Sequence, residues 1–384
     1  MGNYLNTPIP AFKYGVEAIQ FEHEGEPMIL LKDQEGITKQ TLAISLPAFF
    51  IASMLNGQNT IKDIQKKFNQ TLGQTLPDAD VQKVIEELKK WNFLETQEVQ
   101  ELREKVVKEF YSNSTRKAIH AGTGYPEKPE ELAVFLKKKI KEEKGPDKDI
   151  PVTPINKKTP VGLIAPHIDF QRGGALYAWT YQALAEYSKP DLIIGIGVSH
   201  NNAKSPWIMT SKDYETPFGL METDKDTIGE IDKALWYNTY EEEIIHRNEH
   251  SLEFQAIWLK YLWKKKTPKW VPILCSSFEK FCPEDAPSKI THVEDGIKKI
   301  GAILKNKVKA GKKITILAGI DLSHVGPKFG DQVEINQELK NKIHKEDHNF
   351  LDQVLKLESD DFYTSVVKKK NWSKICGLSA LYCA

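Results

Sequence analysis

Three apolar stretches of the sequence end in the same way, with a histidine directly beyond the apolar residues. VGLIAP is followed by His167, LIIGIGVS by His200 and ITILAGIDLS by His324. Residues just beyond the carboxyl ends of parallel strands line the ligand crevice of open α/β sheets. A lone histidine at a strand end is more often structural, but three at one edge of a sheet predict a shared site. Imidazole nitrogens at such a site bind a metal ion or transfer protons.

Two carboxylates and a fourth histidine accompany these strand ends. Asp321 precedes His324 by three residues, and its carboxylate could orient an imidazole or act as a base. An Asx-turn is the structural alternative for Asp321. Glu249 and His250 begin a predicted helix and could point into a cleft, although Glu249 could also do no more than complement the helix dipole. We take Asp321, His324, Glu249 and His250 as candidate catalytic groups.

The elements that must position these groups lie in residues 113–384. From residue 161 onward, VGLIAPH, DLIIGIGVSH, WVPILC and KITILAGIDLSH are continuous apolar runs that alternate with helical segments. Continuous runs are typical of strands buried on both faces, and their alternation with helices favours a parallel sheet. The sequence therefore predicts an α/β domain with a largely parallel sheet flanked by helices.

Residues 1–112 form a predicted separate module of the α+β class. MILLKD and ITKQTLAISL flank the turn signal QEG, so a β-hairpin is expected. Three short helices follow, with predicted N-caps at Asn59 or Thr60 for the second and at Asp78 for the third. A hairpin together with three helices predicts a winged-helix-like shape.

The charge of this module bears on its function. Residues 61–96 carry six basic and six acidic side chains, which argues against binding to a phosphate backbone. The stretch ILLKDQEGITKQTLAISLPAFFIASMLNGQNTIKDIQKKF resembles the PqqD-like peptide-recognition domains that accompany radical-SAM maturases. That resemblance implies peptide or partner binding, and a module that only packs is the alternative.

Composition excludes several classes for the whole chain. The 53 basic and 53 acidic residues balance, so we expect neither nucleic acid nor a membrane as a partner. Four cysteines without a CxxC pair do not form a disulfide framework, and reduced thiols are typical of a cytoplasm. No apolar run approaches the roughly 18 residues of a membrane span, and the N-terminus lacks a secretory pattern. We expect a cytoplasmic protein.

Six ordered motifs carry a family resemblance. They are APHIDFQRGG, IGVSHNN, YETPFG, EHSLEFQAIWLKYL, AGIDLSHVGPKFG and KICGLSALYCA. Together with AGTGYPEKPEEL they resemble the Memo family, from about residue 115 to the end of the sequence. This family is protein B of a group that includes a radical-SAM protein and an AMMECR-type protein. It shares its fold with class III extradiol dioxygenases, which use a non-haem iron.

The resemblance implies a ligand set that the residues alone do not give. It places metal ligands at His167, His200 and Cys376, with Asp321, His324, Glu249 and His250 in the pocket. A cysteine before glycine is by itself more often a small buried hydrophobe. Two imidazoles and a thiolate suit one divalent metal, first Fe(II) or Cu and also Zn, and leave a coordination position open.

The sequence departs from the family pattern in three places. PHIDFQRGG replaces the common PHAGYxYSG, so Asp169 adds a carboxylate beside His167 that could meet the metal, a substrate amine or only solvent. SHN replaces the paired SHH, with Asn201 in the second position. Members usually continue through another helix and a strand, whereas this sequence ends eight residues after Cys376.

Three functions remain open at this point. The first is a non-haem iron or copper oxidoreductase of dioxygenase-like fold that works with a radical-SAM partner and an AMMECR-type protein. The alternative is a non-catalytic adaptor that binds a peptide in the same cleft. The third is a structural domain with a vestigial metal site. Fold analogy alone does not decide among them.

Overall fold

A computed structural model describes residues 4–38, 40–201 and 203–384. The chain divides into two compact units, Met1–Ser112 and Asn113–Ala384. Within the described residues, no helix has both the length and the apolar character that crossing a bilayer requires.

The first unit begins with a three-stranded antiparallel sheet. Its strands are β1 (Val16–His23), β2 (Glu26–Asp33) and β3 (Thr41–Ser45), in the order β1-β2-β3. The predicted hairpin corresponds to β2 and β3. Strand β1 was not predicted, because its side chains are mostly exposed and its apolar residues do not stand out from the charged ones. The sheet therefore has one strand more than a hairpin.

Four helices follow in the first unit. They are α1 (Leu46–Ser53), α2 (Ile61–Leu72), α3 (Asp78–Lys90) and α4 (Gln97–Ser112). Thr60 caps α2 as predicted, in a reciprocal capping box with Asp63. The prediction for α3 was wrong by one residue: Pro77 occupies the N-cap, so Asp78 is the first helical residue and no side chain caps the helix. Apolar faces of α1, α2 and α3 form the core with β2 and β3.

The capping box should stabilise the first turn of α2, which can be tested by substitution. Thr60→Ala removes the hydroxyl that accepts from the Asp63 amide. We expect the first turn of α2 to open more easily by about 1 kcal/mol, so that its amide protons exchange roughly fivefold faster. Thr60→Ser keeps the hydroxyl and serves as the matched control. Equal exchange rates in the two variants would show that the cap does not stabilise this turn.

The second unit is built on a five-stranded sheet. Its strands are β5 (Gly162–Ala165), β6 (Leu192–Val198), β7 (Trp207–Met209), β9 (Lys269–Cys275) and β10 (Ile314–Gly319), in the order β5-β10-β6-β9-β7, and a separate pair joins β4 (Thr115–Arg116) to β8 (Asp213–Tyr214). The four strands predicted from apolar runs are β5, β6, β9 and β10, and they run parallel. The short edge strand β7 is antiparallel to β9 and was not predicted. The fold is therefore of the mixed α/β kind.

Helices cover both faces of this sheet. They are α5 (Pro129–Lys141), α6 (Phe170–Ala185), α7 (Lys225–Ala234), α8 (His250–Trp263), α9 (Thr291–Lys309), α10 (Gln337–Leu355), α11 (Ser359–Val367) and α12 (Leu378–Cys383). One core lies between the sheet and α5, α6 and α8. The other lies between the sheet and α7, α9, α11 and α12. Because both faces are covered, β6 is buried at every residue.

Candidate metal centre

Three imidazoles meet beyond the carboxyl ends of β5 and β6. The ring centroids of His167 and His200 lie 4.9 Å apart, and those of His200 and His250 lie 4.8 Å apart. One ring nitrogen of each residue lies within 4.8 Å of the others, so the cluster could hold a metal ion. His167 is buried whereas the side chains of His200 and His250 are 37% and 33% exposed. Solvent or a ligand can therefore reach the cluster.

Backbone and side-chain contacts fix His167 on two sides. Its Nδ1 lies 3.0 Å from the carbonyl oxygen of Gly319, and its backbone N–H donates to Asp321 Oδ1 at 2.9 Å. A carbonyl only accepts, so Nδ1 carries a proton and Nε2 is the nitrogen that faces the site. Nε2 lies 3.3 Å from Cys376 Sγ. Nε2 is therefore the nitrogen through which His167 could bind a metal, with Nδ1 held by an outer partner.

Glu249 holds the Nδ1 side of His200, as the Gly319 carbonyl holds that of His167. Its carboxylate oxygens lie 3.0 and 3.1 Å from His200 Nδ1 and accept the His200 backbone N–H at 3.0 Å. Burial opposes a charge on His200, but Glu249 and Cys376 outweigh it and raise the pKa of His200 well above its ordinary value. Glu249 is also the N-cap of α8 and accepts from the Ser251 amide. Glu249 therefore lies both at the start of α8 and beside His200, so the two alternatives given by the sequence are compatible.

Close packing of α8 on β6 brings Glu249 to His200. A Cβ at Gly197 would lie 2.6 Å from Ser251 Oγ and 2.7 Å from Leu252 Cγ, so only glycine permits this approach. Ser251 Oγ in turn donates to the Val198 carbonyl and accepts from the Val198 amide. The helix start is therefore joined to the strand end directly beside His200 and His250.

Cys376 arrives from the far end of the chain. Gly377 packs so closely on Ile320 that a Cβ there would lie 2.4 Å from the Ile320 Cβ. This contact holds the Cys376 Sγ near both His167 and His200. Burial raises the pKa of the thiol, but the two imidazoles outweigh it and lower that pKa to about 6. At neutral pH the sulfur is therefore mainly a thiolate, the form that binds metals.

His250 is itself part of the imidazole cluster. Its ring stacks on His200 at an interplanar angle of 16°, and its Nδ1 lies 3.4 Å from Glu249 Oε1. Burial is the main cause that lowers the pKa of His250 to about 3, so the ring is neutral at neutral pH. His250 can therefore bind a metal or accept a hydrogen bond from a ligand.

The remaining candidate residues divide between the site and its surroundings. Asp321 lies in the site, with Oδ2 3.7 Å from His167 Nε2. His324 contacts the loop around it instead: its Nδ1 lies 2.8 Å from the Leu322 carbonyl oxygen, and its ring packs on Phe329. The histidine past β10 thus does not join the ring contacts of the other three.

Asp169 has a local structural role. Its carboxylate accepts from the Arg172 amide at 3.0 Å as the N-cap of α6, and it pairs with the Arg172 guanidinium at 2.5 Å. Burial raises the pKa of Asp169, but Arg172 outweighs it and the pKa is lowered. The extra carboxylate is therefore used by the helix start beside His167.

A buried ion pair next to the site was missed by sequence reasoning. Arg116 and Glu253 form this pair, and both side chains are fully buried. Arg116 also donates to the carbonyl oxygens of His246 and Glu249, each at 2.8 Å. Glu253 stands in the apolar run of α8, and an acid within a buried helix is a signal that could have identified it. His120, which the sequence analysis does not single out, also contacts His250, with ring centroids 5.9 Å apart.

The fold and the cluster together define this unit as an α/β domain with a candidate metal centre at the carboxyl edge of its sheet. The family model described as Memo-like protein matches residues 116–383. The chain therefore belongs to the Memo family.

Two curated relatives agree with this assignment. A MEMO1 family protein of Aquifex aeolicus is 26% identical over 353 residues, which covers 91% of this chain and 84% of that protein. A MEMO1 family protein of Caldivirga maquilingensis is 28% identical over 271 residues, or 70% of this chain and 85% of that protein. The Aquifex aeolicus alignment is longer than the second unit, so it extends into the first.

Proposed function

We propose that residues 113–384 bind one divalent metal ion through His167, His200 and Cys376, and that the protein is a metal-dependent oxidoreductase of dioxygenase-like fold. Fe(II) and Cu are the metals we favour, and Zn also fits the donor set. The observation that carries the proposal is the 3.3 Å approach of Cys376 Sγ to His167 Nε2.

The donor set fits a metal for a second reason. Nδ1 of His167 is occupied by the Gly319 carbonyl and Nδ1 of His200 by Glu249. Both contacts are the outer-shell partners that metal-binding histidines usually have. We infer that both Nε2 atoms and the thiolate are the ligands, while a neutral His250 remains free for a ligand.

A bound divalent metal would supply Lewis-acid or redox chemistry to a substrate oxygen. Side chains of the protein would position the substrate and accept its protons. Neutral His250 can accept a hydrogen bond from a substrate hydroxyl, and Glu249 Oε1, 3.4 Å from His250 Nδ1, orients that ring. Asp321 Oδ2 lies 3.7 Å from His167 Nε2, where its carboxylate can accept a proton from a substrate. A hydrogen-bond acceptor and a proton acceptor would thus lie beside the proposed metal ligands.

Anomalous scattering from crystals grown with Fe(II) under anaerobic conditions, and separately with Cu, tests the ligand set. We expect one peak within bonding distance of Nε2 of His167, Nε2 of His200 and Sγ of Cys376. A peak bound by His250 instead of Cys376, or no peak at the cluster, would contradict the proposal.

The oxidoreductase half needs its own measurement. Nitric oxide, a dioxygen analogue, should change the electron paramagnetic resonance spectrum of the Fe(II)-loaded protein, because three protein ligands leave a position open. An unchanged spectrum in protein that retains its iron would rule out oxygen activation and favour the non-catalytic alternative.

We propose as a second function that the first unit is a winged-helix-like module that recognises a peptide for a radical-SAM partner and an AMMECR-type protein. In support, β1 and β3 form the two edges of its sheet, and edge strands can pair with an extended peptide. Affinity capture with the full chain should recover such a partner. Leu42→Pro on the edge strand β3 tests this edge, and undiminished capture by that variant would exclude peptide pairing at β3. Proline on the central strand β2, as in Lys32→Pro, would disrupt the sheet itself.

A further inference from the structure

A groove lies in the second unit at the end of α8 that is far from the imidazoles. Its volume is about 860 Å³. The lining residues come from α5, α8, the turn after α8 and the loop that carries Phe218. They are chiefly Lys137, Phe218, Lys260, Tyr261, Trp263 and the lysine run 264–266.

The groove is separate from the candidate metal centre. Helix α8 begins at His250, in the imidazole cluster, and ends at Trp263, in the groove. A helix of this length spans roughly 20 Å at about 1.5 Å per residue. A ligand in the groove would therefore not touch the metal ligands.

Five lysines give the groove a single sign of charge. They are Lys137, Lys260, Lys264, Lys265 and Lys266. Across residues 4–38, 40–201 and 203–384, none of the five forms an ion pair with a carboxylate. Glu222 acts on Lys260 only through a longer-range electrostatic interaction. A cluster of like charges without partners attracts an anion.

Lys260 is the least expected of these lysines. The residue is only 8% exposed, and in the part of the chain that the structure describes its ammonium has no hydrogen-bond partner. Buried lysines are rare unless they are paired. Lysines often follow helix ends because they complement the helix dipole. That explanation does not cover Lys137, which comes from α5, nor the burial of Lys260.

Aromatic rings supply the apolar part of the groove. The rings of Phe218 and Tyr261 are in contact, with centroids 5.7 Å apart and planes tilted by 41°. Trp263 adds a third ring to the lining. Flat ligands stack on such rings, as nucleic-acid bases stack on aromatic side chains.

We propose that this groove binds a nucleoside phosphate, with its base on the aromatic rings and its phosphates against Lys260 and the lysine run. The volume lies within the roughly 300–1,000 Å³ range of small-molecule sites. Lysine ammonium groups bind phosphate as point charges. A small molecule that carries both a flat ring and a phosphate would contact both the aromatic rings and the lysines. An acidic peptide would need only the lysines.

Calorimetric titration of the full chain with ADP tests the proposal. EDTA is present throughout, so that metal at the imidazole cluster does not bind the phosphates. We expect saturable binding of ADP, with adenosine and inorganic pyrophosphate each at least about tenfold weaker, because each satisfies one half of the groove. No binding of ADP at about 1 mM would overturn the proposal. Pyrophosphate that binds as tightly as ADP would overturn it too, since the rings would then contribute nothing.

Two variants locate the site. Lys260→Met keeps the length of the side chain and removes its charge, and we expect ADP affinity to fall at least about tenfold. Lys309→Met removes an exposed lysine near the end of α9 and is the matched control, with unchanged affinity expected. Lys265→Met, on the exposed rim, replaces Lys260→Met if the latter does not fold, with a loss of severalfold expected. Equal affinity in the groove variant and the control, or tighter binding of an acidic peptide than of ADP, would overturn the proposal.

Discussion

Cys376→Ser and His200→Ala are each expected to abolish stoichiometric metal binding. Removal of an outer-shell partner of a metal ligand typically costs ten- to a hundredfold in affinity. Loss of a ligand itself should exceed that, so we expect more than about a hundredfold weaker binding. Metal content of anaerobically purified protein, measured by mass spectrometry per chain, checks this for each variant.

Matched controls separate the ligands from their neighbours. Cys383→Ser changes a second thiol of the C-terminal segment, in α12, and should leave metal content unchanged. His324→Ala should do the same, because its ring contacts Phe329 and the loop around it. Wild-type metal content in both Cys376→Ser and His200→Ala would show that the proposed ligand set is wrong.

His250→Ala decides between two possible third ligands. Nitrogen atoms of His167, His200 and His250 are close enough to hold a metal without the thiol, whereas the thiolate of Cys376 lies against two of the same imidazoles. We expect His250→Ala to retain its metal. Metal that is lost from His250→Ala and kept by Cys376→Ser would replace our set with three histidines.

The convergence of His167 and His200 could be predicted from the sequence for a physical reason. Their strands are continuous apolar runs, which a two-sided layer of helices requires, and parallel strands bring their carboxyl ends to one edge. β5 ends at Ala165 and β6 at Val198, so each histidine stands two residues beyond its strand. A short, extended connection leaves little freedom in where such a residue can lie.

His324 shows the limit of this pattern. β10 ends at Gly319, so the position two residues beyond it belongs to Asp321. In the sheet Gly319 is the register partner of Ala165, which makes Asp321 the counterpart of His167. The apolar run ITILAGIDLS extends past the true strand end and concealed this offset. Counting residues from the end of the paired strand distinguishes Asp321 from His324. That count requires the strand register, which the sequence alone does not give.

Cys376 could not be predicted from local pattern at all. Its place depends on a loop after α11 and on the fit of Gly377 against Ile320, both of which are tertiary contacts. Only the family resemblance pointed to it. Strand β1 was missed for a related reason, because its mostly exposed side chains carry little of the apolar signal that identifies buried strands.

Removal of either partner of the buried Arg116–Glu253 pair is expected to destabilise the second unit strongly. Both side chains are 0% exposed, and loss of one leaves an uncompensated buried charge, which costs about 3–5 kcal/mol. Arg116→Met leaves the Glu253 carboxylate with the His120 amide and the Tyr125 hydroxyl. Glu253→Gln keeps the shape of that acceptor and leaves the guanidinium unpaired. Chemical denaturation of the full chain, followed through the transition of the second unit, measures both losses.

The double variant Arg116→Met with Glu253→Gln tests whether the cost is electrostatic. If the unpaired charge is the main penalty, the double variant has no buried charge and should lose less free energy of unfolding than the two single losses combined, by about 1–3 kcal/mol. Strict additivity would mean that packing dominates. Because Arg116 also donates to the Glu249 carbonyl, its loss frees the turn that presents Glu249 to His200. We therefore expect Arg116→Met to weaken metal binding even where the domain remains folded, and the double variant, which lacks the same hydrogen bond, should not recover it.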